Sequence, residues 1–145
     1  MQGRKNYTKE EIEQGRTAIS QQLAAFKELA VAADGAAGET TTRSALEPFE
    51  ALFFNNMTLV MDRYFVHRLA GADYEGKDGN PLNEVRIVAD SLINNNGAMR
   101  GDKQIKLAPE RSVLGLRVGD SIKVNGEQFE RLSTAFFDEL EHRFL

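Results

Sequence analysis

One stretch constrains this chain more than any other. Leu46, Phe49, Leu52, Phe53, Phe54, Met57, Leu59, Val60, Met61, Tyr64, Phe65, Val66 and Leu69 fall within a single helix length. Placed at ~100° per residue, Phe49, Phe53, Met57, Val60, Met61 and Tyr64 cover one broad face. Leu52, Leu59 and Val66 form a second stripe, seven residues apart. A helix apolar on two sides is buried on two sides. The spacing predicts a central helix over 48–70, with Pro48 suited to its first position. A start at Ser44, capped with Glu47, is the other reading of that end.

The rest of the chain reads as elements around that helix. Thr8-Lys9-Glu10-Glu11 is a capping box, in which the Thr hydroxyl and the Glu carboxylate each take the other's backbone N–H. Ile12, Ile19, Leu23, Phe26, Ala30 and Ala33 then trace a narrow seam, so a helix is expected over 9–33, preceded by a flexible 1–8. A seam that narrow suits one partner, in this fold or in a dimer. Residues 34–44 are small, polar and Gly/Thr-rich and read as a linker. Asn80 before Pro81 caps a helix over 81–95, which ends at Asn94-Asn95-Asn96-Gly97. Asn125 with Gln128 caps a last helix, 127–144, whose apolar face is Phe129, Leu132, Phe136, Phe137, Leu140 and Phe144. The Phe53-Phe54 and Phe136-Phe137 pairs are expected to meet.

Between the last two helices the texture changes to alternation. Leu114, Leu116 and Val118 precede Gly119-Asp120, and Ile122 and Val124 follow. That pattern reads as a small β-hairpin. A rival reading starts a short helix at Pro109 and keeps only 121–124 extended. The fold class expected is mainly α (α+β), a single domain over 1–145 with four helices and one hairpin.

Composition excludes several functions. The 145 residues include no Cys, no Trp and two His. No disulfide, thiolate metal site or Cys nucleophile is possible, and two His cannot close a zinc site alone. Lys and Arg number 18 and Asp and Glu 22, a net charge of −4. Mild acidity argues against a general nucleic-acid binder. Residues 100–123 run positive, through Arg100, Lys103, Lys106, Arg111, Arg117 and Lys123, but lack the interleaved aromatics of a single-strand binder. No apolar core of a leader follows Met1, and no run is long enough to span a membrane. The expected setting is the cytoplasm, with no membrane partner and no cofactor.

The polar residues in and beside the central helix are the candidate site. Asn56 and Arg63 share a lane, His67 follows Arg63 by four, and the loop from Gly76 to Asn83 supplies Lys77 and Asn80. These five form a ligand-binding set for a small anion, held by guanidinium, imidazole, ammonium and amide groups. No catalytic or metal residue is assigned: Asp62 lies ~140° round the helix from His67, so no acid–base pair forms there. The loop has neither the alternating oxygens of a calcium site nor the Gly-Lys-Ser/Thr of a phosphate loop. The competing explanation is structural, with each loop residue serving a turn or a cap.

Phe53-Phe54-Asn55-Asn56-Met57-Thr58-Leu59-Val60-Met61-Asp62-Arg63, Phe65-Val66-His67-Arg68, the run Gly76 to Val85, and Phe129 to Phe144 resemble a family of small actinobacterial proteins of unknown function. The resemblance covers the chain from about residue 45 onward. It implies a bacterial, cytoplasmic, stand-alone domain and brings no activity, cofactor or site residue. Two functions therefore compete. One is a non-catalytic binding or interaction module, homodimeric through the first helix or a Phe-bearing face. The other is a small enzyme or sensor that holds an anionic metabolite through Arg63 and His67.

Overall fold

A computed structural model describes residues 7–35, 40–65, 79–102, 105 and 107–144, with backbone alone for 35, 40–44 and 144. The described residues form four helices: α1 (Lys9–Gly35), α2 (Thr40–Tyr64), α3 (Pro81–Asn94) and α4 (Gly126–Phe144). The mainly helical class is as expected.

α1, α3 and α4 begin where their caps dictate. Thr8 N–H donates to Glu11 Oε1 and Glu11 N–H to Thr8 Oγ1, both at 3.1 Å. Tyr7, one residue before the cap, is buried with Ile12, and its hydroxyl donates to the Phe65 carbonyl. Such a staple fixes the entry to a helix. Residues 7 and 8 are thus tied to the fold, and residues 1–6 of the start expected to be flexible lie outside the described residues. Asn80 Oδ1 accepts the Asn83 N–H at 3.0 Å, with Pro81 at the first helical position. Asn125 and Gln128 close the reciprocal box of α4, at 2.8 and 3.0 Å. α3 ends at Asn94, and Asn96 (φ +55°) and Gly97 (φ +80°) just beyond it are left-handed.

α2 departs from expectation at its start. It starts at Thr40 rather than 48 and carries Pro48 inside it. Residues 40–44 of the expected linker are helical, and 36–39 lie outside the described residues. At the other end α2 closes at Tyr64, and 66–78 lie outside the described residues.

α2 and α4 form the middle pair. Each touches the other three helices, while α1 and α3 do not meet. α1 runs antiparallel to both: Arg16 pairs with Asp138 and Glu141 near one end of α4, and Lys27 with Glu130 near the other. The α1 seam is used up here, with Ile12, Ile19, Leu23, Phe26 and Ala33 all buried. α2 buries Phe54, Met57, Thr58 and Met61, but its second stripe is not buried throughout: Leu52 is 70% exposed. α4 buries its whole apolar face from Phe129 to Leu140.

The Phe pairs do not meet each other among the described ring contacts. Phe54 packs on Phe26 (centroids 4.9 Å) and Phe129 (5.2 Å). Phe136 and Phe137 instead pack on Phe65, at 6.0 and 5.4 Å. The reason is axial: Phe129 and Phe136 lie ~10 Å apart along α4, so a different ring of α2 reaches each.

The hairpin is absent among the described residues. Gly119 N–H donates to Met99 C=O (2.7 Å), Met99 N–H to Asp120 C=O (2.8 Å) and Ile122 N–H to Gly97 C=O (2.8 Å). The pairing is an isolated antiparallel bridge, Ala98 with Ser121. Residues 114–118 do not pair with 122–124, because α2 side chains have taken that role. Asn55 Nδ2 donates to the Ile122 carbonyl (2.8 Å), and its Oδ1 accepts the Val124 N–H (3.1 Å). One carboxamide thus does the hydrogen bonding of a neighbouring strand residue. Around Pro109 the rival reading comes closer, since Arg111 and Ser112 N–H both turn back onto the Ala108 carbonyl at 3.0 Å.

Candidate functional site

The five residues of the expected anion site fare differently. Asn56 is exposed on α2. Arg63 is exposed in the last turn of α2, where a cation complements the helix dipole. Asn80 is buried, with its side-chain oxygen on the Asn83 N–H at the start of α3. His67 and Lys77 lie outside the described residues. Residues beside Arg63 do line an opening. Val60, Met61, Tyr64 and Phe65 face Gly15, Ala18 and Ile19 of α1 across a cleft of about 370 Å³, and neither Asn56 nor Arg63 is in its lining. Among the described residues no three His, Asp or Glu gather as they would around a metal ion.

A second opening sits at the other end of the same two helices. Leu29 and Ala33 of α1 face Ala45, Leu46 and Phe49 of α2 around an apolar groove of about 390 Å³. Leu29 is 48% exposed and Phe49 44%. Leu52, one turn beyond Phe49, extends the apolar surface along α2. Phe49 stacks on Phe53 (5.6 Å), and Phe53 on Phe26 (6.2 Å), so a continuous row of rings leads from this surface to the core.

Three groups matter more than sequence reading foresaw. Glu84 on α3 is 1% exposed, and its two oxygens accept the N–H groups of Val113 and Leu114, each at 2.8 Å. Burial pushes its carboxyl above the usual range, against the pull of those two bonds. The signal was present in the register, since Glu84 shares a lane with the apolar Val88. Asn55 is the second, and Glu50 the third: Glu50 Oε2 accepts the Gly126 N–H at 2.8 Å and so holds the start of α4.

The basic stretch is partly spoken for. Arg100 donates to Asp90 through both Nε (2.8 Å) and Nη2 (2.7 Å). Burial pushes the Asp90 carboxyl up, but the bonds from Asn94 and Arg100 and the charges of Arg100 and Arg86 outweigh it and hold it below the usual range. Arg100-Gly101-Asp102, an adhesion tripeptide by spelling, thus has its Arg engaged within the fold.

No protein-family model, curated protein or solved structure matches the chain.

Proposed function

We propose that this protein is a non-catalytic interaction module that self-associates through the apolar end of α1 and α2. The observation that carries this reading is the apolar groove lined by the exposed Leu29 and Phe49, with the exposed Leu52 one turn beyond Phe49 on α2. Contiguous apolar surface of this kind marks interfaces, and aromatic residues are enriched at them. The α1 seam is already covered by the fold, which leaves the Phe-bearing face as the contact. The bacterial and cytoplasmic setting follows from the resemblance to small actinobacterial proteins.

Sedimentation velocity over a wide concentration range tests the reading. The wild type should shift from monomer to dimer as concentration rises. Leu52→Asp should stay monomeric with an unchanged melting temperature, because the side chain it replaces is not in the core. A wild type that remains monomeric throughout, or a Leu52→Asp variant that still dimerises, removes this surface as the interface.

A further inference from the structure

We propose that residues 107–116 form a strap that swings away from α3 as one unit, and that ionisation of the buried Glu84 carboxylate sets how often it does so. This inference does not depend on the dimer. The strap is bonded to itself. Arg111 and Ser112 N–H share the Ala108 carbonyl, Ser112 Oγ donates to the Pro109 carbonyl (3.0 Å), and the same oxygen accepts the Gly115 N–H (2.9 Å). Gly115 closes the turn at φ +66°, a conformation that favours glycine. None of these bonds breaks when the strap leaves α3.

Among the described residues, the hydrogen bonds from the strap to the rest of the chain converge on one side chain, Glu84. Leu107, Val113, Leu114 and Leu116 add apolar contact with the core, but each is only half-buried. Segments with few fully buried contacts and little regular pairing open at lower free energy than the core they cover.

The joint holds a carboxylate out of water, and a buried charge is costly unless a cation meets it. Among the described charged groups of α3 and the strap, Asp90 pairs with Arg100, while Arg86, Glu110 and Arg111 are exposed. On the packed helices, Asp62 is half-buried on α2, and Arg63, Glu130 and Arg131 are exposed. Burial and the two backbone bonds are what act on Glu84 among the described groups. Opening the strap returns the carboxylate to water and to its ordinary acidity. The closed form therefore binds the proton more tightly than the open form. Closure is favoured at acid pH and weakens as pH rises through the titration of Glu84 in the closed state.

Amide hydrogen exchange of the full chain, read by NMR from mildly acidic to neutral pH, tests this. With intrinsic rates divided out, Val113 and Leu114 should show one shared opening constant. That constant should exceed those of the buried α4 amides and rise severalfold across the pH range in which the Glu84 carboxyl carbon titrates. In Glu84→Gln the rise should vanish. The proposal is overturned if both amides exchange only with global unfolding. It is equally overturned if their opening constant is flat while Glu84 titrates, or if Glu84 titrates as an ordinary carboxylate. The wild-type measurements decide the matter alone should the variant not fold.

Discussion

Gly15 lies in the interior of α1, where glycine costs a helix up to ~1 kcal/mol relative to alanine. Propensity alone makes Gly15→Ala stabilising. The packing reverses the sign. A Cβ built there would lie 2.5 Å from the Phe65 ring tip and 3.1 Å from the edge of Phe137. Phe65 is itself ringed by Tyr7, Phe136 and Phe137, with centroids 5.4 to 6.0 Å away. Overpacking costs ~1–3 kcal/mol, so Gly15→Ala should lower stability by about 1 kcal/mol net, measured by chemical denaturation. A stabilised variant would mean that Phe65 moves aside without penalty. Nothing in the sequence around Gly15 marks this, because the ring that requires it is fifty residues distant.

At the scale of elements, Asn55 and Asn56 make the sharpest comparison. Adjacent and identical in type, they point ~100° apart, so one meets the 122–124 segment and the other meets solvent. Asn55→Ala leaves a carbonyl and an N–H of that segment without partners, at about 1–3 kcal/mol. Asn56→Ala should change thermal stability by less than about 0.5 kcal/mol. Equal losses from the two variants would contradict the pairing. The same contrast shows what sequence reading can and cannot reach. The starts of α1, α3 and α4 were legible, because a cap and its partner lie within three residues of each other. The start of α2 was not, since a proline favours a first turn but does not forbid a turn before it. The hairpin does not form among the described residues: alternation reports an extended chain, not what it pairs with, and Asn55 is some seventy residues from the segment it serves. Of the candidate site, the sequence singled out Asn80 as a cap, and that role is what the structure gives it. Glu84, four residues on, is legible as a position on the buried lane of Val88 but not as a joint, because its partners are backbone groups, which leave no trace in composition.

At the scale of the whole molecule, the acidic last helix finds its counter-charge on the first. Arg16 holds both Asp138 (3.2 Å) and Glu141 (2.7 Å) and lies 5.5 Å from the centre of the Phe137 ring. Burial works against its charge, but the two carboxylates outweigh that and raise its pKa. Among the described residues Lys27 meets only Glu130, and both side chains are half or more exposed. Exposed single pairs contribute about 0–1 kcal/mol. Arg16→Ala should therefore destabilise by about 1 kcal/mol, and clearly more than Lys27→Ala, since packing is lost along with charge. Salt should shrink the Lys27 effect more than the Arg16 effect. Denaturant titrations of both variants at low and high salt give the comparison, and equal effects would show that the ring contact adds nothing.

The antiparallel docking of α1 on α4 joins the two ends of the described chain. On the ribosome, the first helix is made long before its partner. At typical elongation rates the interval is on the order of ten seconds. Throughout it, Ile12, Ile19, Leu23 and Phe26 have no α4 to cover them. Until α4 is made, the nascent chain thus carries a hydrophobic seam that α2 alone can cover only in part, a natural landing place for a chaperone.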